Sequence, residues 1–118
     1  MKVLRASDLE HFTGSENFWR CILNTNICYT DGVKYVGLAG EAFWLIDVIV
    51  AAQTIEKVNR EEFQVWLFKV KGISGTMTAD DGNGNVIYVQ EMPFTDFLLP
   101  EITFYVSNNV IMLPSEYW

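Results

Sequence analysis

The apolar positions of this chain follow two periods. Ala42, Leu45, Ile46, Ile49 and Ala52 recur at helical spacing and predict one main helix over about residues 41–56. Phe43, Trp44, Val48 and Val50 widen that stripe almost all the way round. A helix of this kind is covered on several sides or supplies an interface. A short N-terminal helix is predicted over about 7–13: Ser7 can cap it, Glu10 follows three residues later as in a capping box, and Gly14 ends it.

The other ordered segments read as strands. Residues 63–71 carry apolar side chains on both faces, as an interior strand does. From 73 to 79 the alternation is clean, with Ile73, Gly75, Met77 and Ala79 facing in and Ser74, Thr76 and Thr78 facing out. Residues 80–85 are turn chemistry, and 86–92 returns as the second arm until Pro93, which cannot donate to a ladder. Residues 102–106 and 110–113 form a last pair around Ser107-Asn108-Asn109. Upstream, 17–23 is expected to be extended, and 27–30 and 33–36 are expected to flank Asp31-Gly32 as a hairpin. Grouped strands joined by short turns imply antiparallel neighbours. The expected fold is α+β: an antiparallel sheet of about five to seven strands with the main helix packed on it, in one domain spanning residues 1–118.

Composition narrows the function classes. Half of the 118 residues are apolar and 14% are aromatic, enough for a core without disulfides or metal and with a surplus that could form a patch for a partner. The net charge is −7 and the eight basic residues are scattered, so direct nucleic-acid binding is not expected. Cys21 and Cys28 have neither C-x-x-C spacing nor the number for a disulfide framework, and read as buried free thiols. The N-terminus lacks the apolar run of a signal peptide. The longest apolar stretch, 42–52, is interrupted by Asp47 and is too short for a bilayer. No membrane association is expected, and a cytoplasmic location follows by elimination.

Candidate chemistry is sparse. His11 is the only histidine and cannot assemble a zinc site with the two cysteines. The loop Asp80-Asp81-Gly82-Asn83-Gly84-Asn85 fails the register of a calcium loop and reads as a hairpin tip. No phosphate-binding glycine motif or nucleophile elbow is present, so neither metal nor cofactor is expected. Asp47 is the one charge inside the apolar helix, next to Phe43 and Trp44. It reads either as a solvent-facing or structural acid, or as a general base or ligand anchor. The ending Tyr117-Trp118 either docks on the body or offers an aromatic anchor to a partner.

Tyr29-Thr30-Asp31-Gly32-Val33-Lys34-Tyr35-Val36, Trp44-Leu45-Ile46-Asp47, Phe63-Gln64-Val65-Trp66, Asp81-Gly82-Asn83-Gly84-Asn85-Val86 with Tyr88 and Gln90, Thr95-Asp96-Phe97 and Leu113-Pro114-Ser115-Glu116-Tyr117 together resemble an uncharacterised bacterial family of unknown function. The resemblance is collinear over nearly the whole chain. It implies a bacterial or mobile-element setting and carries no activity, and it adds Asp96 to Asp47 as a residue of interest. Two readings follow. The first is a non-enzymatic acidic module that binds a protein partner or itself. The second is a small enzyme or small-ligand binder around Asp47, with Asp96 or a tyrosine in support. Trp44, Tyr117 and Trp118 are further candidate functional residues.

Overall fold

The structure, a computed structural model, describes residues 4–117. It is α+β. A seven-stranded sheet runs in the order β1-β2-β7-β6-β3-β4-β5, formed by β1 (Phe18–Arg20), β2 (Cys28–Thr30), β3 (Phe63–Lys71), β4 (Ser74–Asp80), β5 (Val86–Met92), β6 (Glu101–Ser107) and β7 (Val110–Met112). The described residues also form α1 (Ala6–Leu9), α2 (Asp31–Ala39), α3 (Phe43–Ala52) and α4 (Glu56–Asn59), followed by a 3-10 turn at Pro114–Glu116. Every strand pair is antiparallel except β2 with β7, which run parallel. That exception exists because the chain leaves β2 into a helix instead of a tight turn.

The strand alternation read from the sequence sets the inner face. Gln64, Trp66 and Phe68 of β3, Gly75, Met77 and Ala79 of β4, and Ile102, Phe104 and Val106 of β6 are buried, while most of their alternate neighbours are half-buried. β3 pairs on both sides, with β4 and β6, as an interior strand should. Ile73 falls outside this pattern: it lies in the β3–β4 turn and is largely exposed.

The hairpin expected around Asp31-Gly32 does not form. Asp31 and Gly32 open α2 instead. Thr30 is its N-cap, with Oγ1 accepting from the Val33 N–H, and Asp31 adds the negative charge that a helix N-terminus favours. Val33, Val36 and Gly37, read as strand and break, form the buried stripe of that helix. Gly37 has a packing role, since a Cβ there would lie 2.6 Å from the Phe43 ring. The chain then turns at Glu41, which takes a positive φ of 49°, and enters α3 at Phe43. The main helix is therefore shorter than 41–56. It ends at Ala52, and a separate turn of helix, α4, follows Ile55. At the N-terminus the first turn is closed by Asp8, whose carboxylate accepts from the Arg5 N–H, and Ser7 is not the cap.

Candidate functional site

α3 buries Leu45, Ile46, Ile49, Val50 and Ala52 against the sheet and leaves Asp47 exposed. Asp47 does not stand on a bare convex surface. It forms part of the rim of a cavity of about 350 Å³, which is lined also by Phe43 and Ile46 of α3, Tyr29 of β2, and Cys21, Ile22 and Leu23 of the β1–β2 loop. Tyr29 and Phe43 meet edge-on with centroids 6.1 Å apart. The volume lies at the lower end of the range for small-ligand pockets, roughly 300–1,000 Å³.

The loop that closes one side of the cavity is tied at several points. The Cys21 N–H donates to the Ile27 carbonyl at 2.9 Å and the Ile27 N–H to the Asn24 carbonyl at 3.1 Å. Asn24 Oδ1 accepts from the Asn26 N–H, and Arg20 Nη1 donates to the Thr25 carbonyl at 2.9 Å. Ile27 is buried beneath the loop. This bracing holds two adjacent aliphatic residues outward: Ile22 is 98% exposed and Leu23 64%.

The ionisable groups of the cavity are poorly placed for covalent catalysis. Burial, reinforced by Cys28 and Asp47, pushes the Cys21 thiol up to about 11, so it is protonated near neutral pH. Burial, followed by Cys21, also raises the Tyr29 hydroxyl. Both cysteines are free thiols, Cys21 buried and Cys28 half-buried. Among the described residues no group of three or more His, Cys, Asp or Glu side chains is placed to hold a metal ion, and no helix is long and apolar enough to cross a membrane.

The other candidate residues do not join Asp47. Trp44, three residues before Asp47 in α3, packs edge-on against Phe68 with centroids 5.7 Å apart, and Phe68 in turn meets Phe97. Asp96 is exposed in the β5–β6 loop, a segment fixed by the Thr95 N–H on the Ile73 carbonyl at 2.7 Å and by Thr95 Oγ1 accepting from the Phe97 N–H. Tyr117 lies against Phe63 and Tyr105, with centroids 5.1 and 5.5 Å away, and keeps 46% of its surface exposed. Trp118 lies outside the described residues.

Two polar clusters escaped the sequence reading. The Glu116 carboxylate, 4% exposed, accepts from Thr30 Oγ1 at 2.6 Å, from the Gly32 N–H at 3.1 Å and from the Leu113 N–H at 3.0 Å. Gln53 and Gln64 exchange reciprocal amide bonds of 2.8 and 3.0 Å, and Trp66 Nε1 donates to Gln64 Oε1 at 2.9 Å. In each cluster a buried polar group is satisfied by its neighbours, which is what a structural role requires. The segments carrying Thr30-Asp31-Gly32 and Leu113-Pro114-Ser115-Glu116-Tyr117 were the signal for the first cluster, since both belong to the family resemblance and they meet here.

Neither a curated protein nor a solved structure matches the chain. A family model does match, over residues 4–117. The chain belongs to the family of unknown function DUF6876.

Proposed function

We propose that this chain is a non-enzymatic protein-binding module of the cytoplasm, acting through the surface formed by the β1–β2 loop and the adjacent end of α3. The observation that carries the reading is the pair Ile22 and Leu23, 98% and 64% exposed on a braced loop at the mouth of an apolar cavity. Holding two neighbouring aliphatic side chains in water has no folding benefit, whereas a partner would recover their burial. A rigid loop also lowers the ordering cost of association. The net charge of −7 directs the module towards proteins and away from nucleic acids.

The test compares what wild type and an Ile22→Glu/Leu23→Glu variant retain from a bacterial lysate, after thermal unfolding shows that both fold. A protein bound stoichiometrically by wild type and lost by the variant supports the reading. Identical retention by both refutes it. Sedimentation of the isolated chain checks self-association in the same way, because a dimer of this surface dissociates in the variant.

A second reading, a small-ligand site, is favoured by the position of Asp47 on the cavity rim. It lacks a second catalytic group, since the thiol and phenol that share the cavity are both held protonated. Under this reading Asp47→Asn abolishes small-ligand binding and leaves what the chain retains from the lysate unchanged.

A further inference from the structure

We propose that the cavity beside Asp47 is a socket for a lysine side chain of the partner protein. This rests on the binding-module reading and adds the chemistry that the surface selects. The walls are apolar or aromatic: Phe43, Ile46, Tyr29, Leu23 and the Cys21 thiol. Among the described residues Asp47 is the only charged one on the lining, and its carboxylate is exposed at the edge. An occupant must therefore present an apolar stem to the walls and a cation to the rim. A lysine has that shape, with a flexible four-carbon stem below a compact ammonium that stays hydrated on its open side. A guanidinium spreads five donors in a rigid fork, and among the described residues the cavity lining offers no carboxylate beyond Asp47 to receive them.

Charge also decides against the other occupants. A carboxylate-bearing or neutral aliphatic side chain would leave Asp47 without complement, the former with like-charge repulsion. A second copy of this chain carries the same net charge of −7 and repels its twin on approach, whereas a cationic segment is drawn in by the same field. Ile22 and Leu23 flank the socket, so the residues beside the partner's lysine are expected to be apolar.

The experiment is an NMR titration of the intact chain with n-butylammonium, n-butanol and butyrate at constant ionic strength. It follows the methyl groups of Ile22 and Leu23 and the amide of Asp47, in wild type and in Asp47→Asn. The expected result is that butylammonium shifts these signals at about fivefold lower concentration than butyrate, the scale of one partly exposed ion pair. The preference should disappear in Asp47→Asn, which alters an exposed residue and leaves the apolar walls in place. Equal responses to all three probes in wild type overturn the lysine assignment and leave the apolar docking surface standing. No response to any of them overturns the socket, while the lysate comparison of the Ile22/Leu23 variant judges the binding module separately. A capped Leu-Lys-Leu tripeptide separates a protein-borne amine from a free one. Tighter binding than butylammonium supports a partner's lysine, and weaker binding overturns it in favour of a small amine.

Discussion

Thr30 and Glu116 are 86 residues apart in sequence and share a buried hydrogen bond of 2.6 Å. The same carboxylate reaches the Gly32 N–H in the first turn of α2 and the Leu113 N–H ahead of the 3-10 turn. One side chain thus ties the start of a helix to the C-terminal segment. It supplies negative charge where α2 has unpaired N–H groups. Glu116→Ala strands a hydroxyl and two backbone donors in a buried site. It should lower stability by roughly 2–4 kcal/mol, the scale of losing charged hydrogen bonds and leaving buried partners unpaired. Urea unfolding of Thr30→Ala, Glu116→Ala and the double variant checks this, and the losses should be strongly sub-additive.

The close approach at Gly32 makes a sharper claim. A Cβ at this position would lie 2.6 Å from Glu116 Oε1 and 2.7 Å from Leu113 Cδ1. In an ordinary helix, Gly→Ala gains about 1 kcal/mol of propensity. Here the methyl group displaces the carboxylate from its donors. Gly32→Ala should therefore destabilise by about 1–3 kcal/mol, with a lowered midpoint in thermal or urea unfolding. A stabilised Gly32→Ala protein would show that the Thr30–Glu116 contact is dispensable.

The same corner explains what was legible in the sequence and what was not. Residues 63–71 could be read from apolar side chains on both faces, 73–79 from clean alternation, and 86–92 from the turn residues before it and Pro93 after it; the observed strands are Phe63–Lys71, Ser74–Asp80 and Val86–Met92. Asp31-Gly32 misled because Asp-Gly is strong hairpin chemistry locally. The deciding interaction comes from Glu116, far away in sequence. Val33 and Val36 favour strands locally, yet their spacing of three fits the buried stripe of α2 equally well. At the candidate site, Asp47 could be singled out as the charge in an apolar helix. The loop that gives it a cavity could not, because Ile22 and Leu23 look like core residues until the hydrogen bonds of Cys21 and Arg20 hold them outward.

Gln64 is 1% exposed and saturates its amide. Its Nε2 donates to Gln53 Oε1, the Val58 carbonyl and the Glu61 carbonyl, while its Oε1 accepts from Gln53 Nε2 and Trp66 Nε1. Gln64→Leu keeps an apolar body in the site but leaves Gln53 Oε1 and the Trp66 indole without their partner, while Gln53 Nε2 keeps only the Ile49 carbonyl. The expected cost is about 3 kcal/mol, at the upper end for buried unsatisfied groups. Chemical denaturation measures the loss, and altered tryptophan emission in the folded variant would report the changed environment of Trp66.

Cys21 gives the fold an alkaline limit. Its thiol titrates at about 11 in the folded chain, against an ordinary value of 9.0, chiefly because it is buried. Between about pH 9 and 11 the unfolded chain releases this proton and the folded chain keeps it. The folded state therefore binds more protons there, and stability falls as pH rises through that window. The full effect is on the order of 2–3 kcal/mol. Cys21→Ala begins from a lower stability because it loses packing, but its pH profile should be flatter than that of wild type over this window. Parallel slopes would remove Cys21 as the cause.

Asp31 sets the opposite dependence at the acid end. Its carboxyl lies below the ordinary 3.8, first because Trp19 Nε1 donates to it at 3.0 Å and further through the Asn17 N–H. The Lys34 ammonium sits 3.2 Å from the centroid of that same indole, so Trp19 is held from both sides. A depressed folded value contributes stability that is present above pH 3.8 and is lost as pH falls through the folded value. Trp19→Phe retains an aromatic ring for Lys34 and removes only the indole donor. In an NMR titration the Asp31 carboxyl of this variant should move up towards its ordinary value, while α2 stays folded on its Thr30 and Glu116 contacts. An unchanged Asp31 titration would assign the depression to the backbone donors and leave Trp19 as a packing residue.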